Sequence, residues 1–228
     1  MDQPPAIELR GLVRRFGERT VLREVSVSVP AGATLAVLGR NGAGKSTLLR
    51  ILATLLRPHG GEVSVLGEAL PRRAFAVRGR LGLLGHDPLL YRDLSGRENL
   101  SYHARLHGVG EARVEEVLDA VGMRERAGEP VRLLSRGMVQ RLAVCRVVLH
   151  RPGLLLLDEP LANLDPAATE LVAPLIGRGC GATRVLTSHD PRAALAEADL
   201  VLGLEGGRAA FLTEPSRVDS DSVARLYA

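Results

Sequence analysis

The order of apolar and polar positions divides the chain into three parts. In residues 7–13 and 21–29 apolar and polar side chains alternate, a period of two that is typical of antiparallel strands with one face in solvent. Residues 34–38 form a short apolar run that leads into a glycine-rich turn, so they predict a buried strand followed by a helix over residues 45–56. The first part is therefore predicted to be a β lobe joined to a strand, a turn and a helix.

The middle part changes to helical spacing. A pair of strands is predicted near residues 62–66 and 81–84. Apolar positions three and four residues apart then predict helices over residues 97–107, 111–121 and 136–150. We therefore expect residues 85–150 to form a helical lobe.

The last part alternates between strands and helices. Strands are predicted over residues 154–157, 183–187 and 200–204, with helices over residues 167–176 and 191–197 between them. Buried apolar strands separated by helices are typical of a mostly parallel sheet. Residues 1–84 and 151–228 are thus expected to form an α/β core with its β lobe. The helical lobe is inserted into it, within a single domain of residues 1–228.

Composition indicates a globular protein and limits its partners. Apolar residues make up 46% of the chain. Yet no stretch approaches the ~18 apolar residues of a spanning helix, so we do not expect the chain itself to cross a membrane. A net charge of +4 without a basic run, 3% aromatic residues and no tryptophan argue against nucleic acid as a partner. Cys145 and Cys180 lack metal or redox spacing and are expected to be reduced thiols.

Lys45 is the only lysine among 30 basic residues, and it lies in the most specific motif of the chain. The motif runs Gly39, Arg40, Asn41, Gly42, Ala43, Gly44, Lys45, Ser46 and Thr47, between a predicted strand and a predicted helix. Its glycines let backbone N–H groups point inward at a helix N-terminus, which suits a polyphosphate. We expect Lys45 to reach the β- and γ-phosphates, Ser46 to bind Mg²⁺ and Thr47 to lie near the α-phosphate. The motif predicts a P-loop NTPase core of the RecA-like kind, which binds a polyphosphate with Mg²⁺.

Two carboxylates follow the next buried strand. Asp158 and Glu159 come directly after four leucines, in a strand that we expect to lie centrally beside the strand of the phosphate loop. Asp158 is predicted to face Mg²⁺ through water. Glu159, on the other side of the pleat, is predicted to orient the attacking water as a base. A solvated Asp-Glu turn is the alternative for this segment taken alone.

With these motifs the chain resembles the ATP-binding cassette (ABC) ATPases over nearly its whole length. The segment Leu134-Ser135-Arg136-Gly137-Met138, followed by Gln140 and Arg141, looks like the signature loop of that family. Asp165 ends a segment similar to the D-loop, and His189 ends one similar to the switch-histidine loop. Phe16 lies where the family places an aromatic ring against adenine. Taken alone, a residue such as Phe16 is more often a core residue, and a histidine that follows a strand, such as His189, is more often a loop residue.

The resemblance implies a mechanism that needs two copies of the chain. In the family, two cassettes pair head to tail, and the signature of one covers the ATP held by the other. Ser135, Arg136, Gly137 and Met138 would then act in trans on the γ-phosphate, with Ser135 as the N-cap of its helix. Asp165 would cross the same interface. Water would attack in line, oriented by Glu159, while Lys45, Mg²⁺ and His189 stabilise the developing charge.

Two segments depart from the family pattern. Arg136 and Met138 replace the usual glycine and glutamine; Arg136 either reaches the partner's nucleotide or is a solvated residue, and we favour the second. The sequence of the signature segment and that of residues 85–88 are similar to the corresponding segments in the ATPase subunit of the haem exporter of cytochrome c maturation. This resemblance implies haem export. His86 or Asp87 stands where that loop usually has glutamine. Asp87 would offer an oxygen ligand to Mg²⁺, which a histidine suits poorly.

The resemblance further implies separate integral membrane subunits and a peripheral location at the cytoplasmic face of the cell membrane. The family receives a membrane subunit in a cleft that corresponds to residues 89–99. Leu89, Leu90 and Tyr91 either form an apolar surface there or pack within the fold. A soluble cassette ATPase acting on nucleic acid or ribosomes is the alternative, but it usually carries a coiled-coil arm or a second cassette. A small-molecule kinase would not predict the signature loop.

Overall fold

In the computed structural model, which describes residues 4–227, the first sheet is antiparallel and has four strands. Its order is β2-β1-β4-β5. The strands are β1 (Ile7–Phe16), β2 (Arg19–Val29), β4 (Gly60–Val65) and β5 (Glu68–Leu70). Alternate residues such as Ile7 and Leu9 are buried, whereas Glu8 and Arg10 on the other face are not. The predicted β lobe is therefore formed, and β1 and β2 extend beyond the predicted bounds.

The second sheet has six strands in the order β10-β9-β3-β8-β7-β6. They are β3 (Thr34–Leu38), β6 (Leu81–Leu84), β7 (Leu154–Asp158), β8 (Thr183–Thr187), β9 (Leu200–Glu205) and β10 (Arg208–Thr213). All pairings are parallel except that of β10 with β9. The carboxyl ends of β3, β7 and β8 therefore meet at one edge, where ligands bind in open α/β sheets.

Two expectations about strand neighbours are wrong. β7 does not lie beside β3, because β8 pairs with both of them. The strands predicted near residues 62–66 and 81–84 are not a pair, since β4 and β6 belong to different sheets. Apolar content shows that a strand is buried, but the order of equally apolar strands is decided by the packing of the connecting helices.

Eight α-helices are present within residues 4–227. They are α1 (Lys45–Leu52), α2 (Ala74–Arg78), α3 (Gly96–His107), α4 (Glu111–Ala120), α5 (Arg136–Val148), α6 (Pro166–Ile176), α7 (Pro191–Glu197) and α8 (Ser220–Tyr227). α1 ends four residues before the predicted end, where Thr54 adopts a left-handed backbone with φ of 63°. α2, α8, β5 and β10 were not predicted. None of the described helices is both long enough and apolar enough to span a bilayer.

The six-stranded sheet is buried on both faces. Leu35, Val37 and Leu154 pack with the first sheet and α1 in one hydrophobic cluster. The alternate residues, among them Ala36 and Leu155, pack in a second cluster with apolar residues from helices α3 to α7. This two-sided burial holds the carboxyl edge of the sheet rigidly in place.

Candidate nucleotide-binding site

The phosphate loop is the tight turn between β3 and α1. Gly39 has φ of 146°, and a Cβ there would lie 2.3 Å from the carbonyl oxygen of Leu204. Gly44 has φ of 110°, and a Cβ there would lie 2.7 Å from Leu22 Cδ2. Both positions thus require glycine for conformation and for space. The turn is held against β9 and β2, so its shape depends on the tertiary fold.

Lys45 is the first residue of α1, and its side chain folds back over the loop. Its Nζ donates to the carbonyl oxygens of Gly39 at 2.6 Å and Arg40 at 3.2 Å, and the residue is only 9% exposed. Burial lowers the pKa of Lys45, while the charges of Asp158 and Glu159 raise it. Within residues 4–227 no carboxylate forms an ion pair with this ammonium group. A buried cation held only by carbonyl oxygens fits an anionic ligand such as a polyphosphate.

The other motif residues surround this cation. Ala43 is buried, Ser46 is exposed and Thr47 is half-buried at the start of α1, and Arg40, Asn41 and Gly42 form the exposed rim. The first turn of α1 contains no acidic residue, and no side chain caps it. Its N–H groups and the helix dipole therefore favour a negatively charged ligand at this end.

The carboxylates are organised by a residue on the neighbouring strand. Asp158 and Thr187 are register partners at the ends of β7 and β8. The fully buried Thr187 hydroxyl donates to Asp158 Oδ1 at 2.6 Å and accepts the N–H of Glu159 at 3.2 Å. Glu159 itself leaves the strand with a left-handed backbone, φ 55°. The sequence predicted residue 187 only as the end of the strand over residues 183–187. A hydroxyl at the end of a buried strand was the signal for this role.

His189 lies against Glu159. Its Nε2 is 2.6 Å from Glu159 Oε1, a contact that is an ion pair only when the histidine is protonated. The imidazole is largely exposed, whereas the carboxylate is mostly buried. The structure thus brings together the predicted base and the predicted switch histidine at the same sheet edge as Lys45 and Asp158.

The signature and D-loop residues lie at two helix starts. Ser135 Oγ accepts the N–H of Met138 at 3.3 Å, which confirms Ser135 as the N-cap of α5. Asp165 caps α6 by accepting the N–H of Ala168 at 2.7 Å. Ser135 and Arg136 are exposed, and Gly137 and Met138 are partly exposed. No hydrogen bond or ion pair of the described chain joins these four residues to its own phosphate loop.

The C-terminal helix α8 also contacts the phosphate loop. The backbone N–H of Arg40 donates to the carbonyl oxygen of Leu226 at 3.2 Å, and the N–H of Gly39 lies 3.5 Å from the Tyr227 hydroxyl oxygen. Leu226 is buried in the core cluster that contains α3 to α7. The sequence did not predict α8, because nothing in the pattern of this segment indicates the surface that it covers.

Three further predictions concern exposed positions. Phe16 is 46% exposed and lies under the guanidinium of Arg14 at 4.4 Å from the ring centroid, so the core alternative is wrong for it. His86 and Asp87 are exposed in the loop after β6, and the described residues contain no cluster of three or more metal-ligating side chains. Next to them, Leu89 and Tyr91 are exposed, whereas Leu90 packs against the core.

Comparison with known proteins agrees with this geometry. The family described as ABC transporter matches residues 22–162. The chain is 38% identical over 211 residues to the daunorubicin resistance ATP-binding protein DrrA3 of Streptomyces coeruleorubidus, covering 89% of this chain and 66% of that protein. It is 41% identical over 204 residues to an aliphatic sulfonates import ATP-binding protein of Pseudomonas aeruginosa, covering 88% of this chain and 72% of that protein. The chain belongs to the ABC transporter family, as an ATP-binding cassette ATPase domain.

Solved structures confirm the P-loop NTPase fold. The ATP-binding subunit of an ABC transporter superposes with a TM-score of 0.84 at 27% identity, covering 92% of this chain and 90% of that one. A dimeric ATP-binding cassette bound to ADP and Pi superposes with a TM-score of 0.82 at 23% identity, covering 92% of this chain and 98% of that one. The chain spans 66% of the length of DrrA3, and 61% and 48% of the length of two further relatives.

Proposed function

We propose that this chain binds ATP with Mg²⁺, hydrolyses it to ADP and phosphate, and drives transport through separate membrane subunits. The observation that carries the proposal is Lys45, a buried ammonium group that only loop carbonyls hold. A triphosphate would pair directly with this cation, which no carboxylate of residues 4–227 does. In this proposal Gly39 to Thr47 bind the phosphates, and the exposed ring of Phe16 stacks on adenine.

The side chains at the sheet edge suit hydrolysis. Ser46 and Asp158 offer the oxygen ligands that Mg²⁺ prefers, and Asp87 lies in a neighbouring exposed loop as a further candidate. When bound, the ion neutralises charge on the phosphate oxygens. Glu159 orients water for in-line attack and accepts its proton, while Lys45 and His189 stabilise the charge that develops on the γ-phosphate.

A head-to-tail pair of chains would complete the site. Ser135, Arg136, Gly137 and Met138 present exposed or half-exposed groups at the N-terminus of α5, where N–H groups favour phosphate. Because these residues make no polar contact with their own phosphate loop, we propose that they cover the nucleotide of a second copy. Asp165, at the N-terminus of α6, would lie in the same interface.

The exposed apolar surface after β6 fits a membrane subunit. Leu89, Tyr91 and Tyr102 are exposed, and the two tyrosine rings contact each other edge to face with centroids 5.5 Å apart. We propose that an integral membrane subunit docks here, which would hold the chain at the cytoplasmic face of the membrane. The haem-exporter resemblance makes haem the first cargo to test, beside the drug and sulfonate cargoes after which relatives are named.

The test is to purify the chain with the proteins that bind it and to measure ATP hydrolysis. We expect MgATP turnover in the wild type, its loss in Lys45→Ala, and co-purification of an integral membrane protein. A purified, folded chain that neither binds nor hydrolyses MgATP would contradict the enzymatic proposal. Co-purified nucleic acid or ribosomes without a membrane protein would instead support a soluble cassette ATPase.

A further inference from the structure

Phe75 is the most exposed large apolar side chain of the described residues. It is 88% exposed, and the next in rank, Leu106, is 63% exposed. α2 buries only Val77, so Phe75 projects from the opposite, solvent-facing side of this short helix. A single exposed aromatic ring needs no explanation by itself. The positive charges around Phe75, however, indicate a function for this ring.

The segment that carries Phe75 is strongly basic. Residues 71–80 contain four arginines and no acid, and the arginines are Arg72, Arg73, Arg78 and Arg80, all exposed. One of them, Arg73, pairs with Glu68 at 3.0 Å. Arg78 donates to the Thr54 hydroxyl at 3.0 Å, and Arg80 donates to the carbonyl oxygen of Leu66 at 3.3 Å. These bonds hold the two side chains in place without neutralising their charge.

The end of α1 extends this surface. Leu55 and Arg57, just beyond α1, are exposed, and Arg57 lines a small cavity of about 70 Å³ together with Pro71 and Arg78 from the α2 region. The two segments are therefore neighbours. We call the set Leu55, Arg57, Arg72, Arg73, Phe75, Arg78 and Arg80 the α2 surface. It combines two exposed apolar side chains with five arginines.

We propose that the α2 surface binds anionic lipid headgroups directly. Guanidinium groups pair with phosphate oxygens, and an aromatic ring enters the boundary between headgroups and acyl chains. A protein partner of standard size would need a contiguous apolar centre, whereas Phe75 stands among charged side chains. The chemistry of the α2 surface therefore favours a lipid surface.

The α2 surface and the proposed docking site of a membrane subunit lie at different ends of one strand. α2 directly precedes β6, and the exposed residues Leu89 and Tyr91 follow it. Lipid binding by the α2 surface therefore rests on its own charge and exposure and not on the proposed function.

The absence of tryptophan from the chain allows a direct test. Phe75→Trp introduces a single tryptophan, which can be excited separately from the three tyrosines, and Leu212→Trp, on the exposed strand β10, is the matched control. Each protein is titrated with vesicles of pure phosphatidylcholine and with vesicles containing 40% phosphatidylglycerol. We expect a blue shift for Phe75→Trp on the anionic vesicles only, at least tenfold tighter binding than to neutral vesicles, and loss of binding at high salt.

The arginine contribution is tested by sedimentation with the same vesicles. Arg72→Ala combined with Arg78→Ala should weaken binding more than tenfold, at roughly fivefold per arginine near an anionic surface. The control combines Arg208→Ala with Arg225→Ala on other exposed faces and should bind like the wild type. Since all four side chains are exposed, thermal unfolding should confirm that every variant is folded.

Three results would overturn the inference. They are equal binding of the wild type to both kinds of vesicle, unchanged binding of the α2 variant, and equal weakening by the control variant. If the α2 variant bound vesicles normally but no longer bound a purified membrane subunit, the surface would be a protein contact instead. The vesicle assay uses no nucleotide and therefore does not depend on ATPase activity. A chain that binds anionic vesicles but does not hydrolyse ATP would contradict only the proposed function.

Discussion

The Thr187 side chain shows how one hydroxyl can organise a site. It is fully buried at the end of β8, donates to Asp158 and accepts from the N–H of Glu159. The donated proton orients one oxygen of Asp158, and the accepted N–H holds the strained turn at Glu159. Both carboxylates thus depend on a residue that contacts neither water nor, in the proposed mechanism, the nucleotide.

Thr187→Val should therefore affect catalysis more than folding. Valine keeps the shape but leaves Asp158 Oδ1 without its hydrogen-bond donor, at a stability cost of about 1–3 kcal/mol. The Glu159 N–H keeps only its bond to the backbone carbonyl oxygen of residue 187, at 3.3 Å. We expect ATP turnover to fall by about tenfold or more, since the proposed base and metal ligand lose their fixed geometry. Thr187→Ser, which keeps the hydroxyl, should retain most of the activity. Equal activity of the valine and wild-type proteins would contradict this role.

At the scale of elements, α3 and α5 pack against the edge of the six-stranded sheet through a histidine cluster. His107 and His150 stack with ring centroids 4.0 Å apart, and His150 Nε2 lies 3.0 Å from the carbonyl oxygen of Leu81 in β6. His103 Nε2 is buried without a partner. Burial, with the charge of Arg146, lowers the pKa of His103 to about 4. The helices thus pack around imidazoles that must stay neutral.

Acid should loosen this packing. An unfolded histidine takes up its proton near its ordinary pKa of 6.5, whereas the folded His103 does so only near 4. The contribution of neutral His103 to the free energy of unfolding is therefore fully present above about pH 6.5. It is lost as the pH falls toward 4. Thermal unfolding at pH 8 and pH 5 should show a lower midpoint at pH 5, and His103→Leu should reduce that difference. An unchanged difference would contradict the role of His103.

The C-terminal helix α8 is a second element that should influence the affinity of the site for ATP. The peptide units of Gly39 and Arg40 donate N–H groups toward α8, and their carbonyl oxygens hold the Lys45 ammonium. Removing residues 219–228 should therefore weaken ATP binding several-fold, as measured by titration below the unfolding temperature. Arg225→Ala, on the exposed face of α8, is the control and should bind normally. Equal affinity of the truncated chain would show that α8 serves stability only.

At the scale of the whole molecule, the proposed site is divided between two copies. Lys45→Ala should inactivate the site of its own chain, and Ser135→Arg should block the site of its partner. Each variant alone is then expected to be inactive. Mixing them equally should restore activity to roughly a quarter of the wild type, because half of the pairs keep one intact site. No recovery in a mixture that forms pairs would contradict the head-to-tail arrangement.

Local patterns predicted much of this molecule. The phosphate loop was recognised because its glycine, lysine and serine spacing is short-range chemistry, and β3, β8 and α7 have the predicted bounds. The turn after β9 carried a signal that was overlooked, since Gly206 and Gly207 precede the unpredicted β10. α2, with five residues, is too short for a clear helical period, so its existence depends on what it packs against.

The sequence by itself determined which residues carry charge and nucleophilic or ligating groups, because motif spacing is a property of the covalent chain. Only the tertiary structure decided that β8 separates β7 from β3, and so that Thr187 bonds to the end of β7. It also decided that His189 contacts Glu159 and that α8 closes on the phosphate loop. These contacts join residues far apart in the chain, and packing of the whole core selects them.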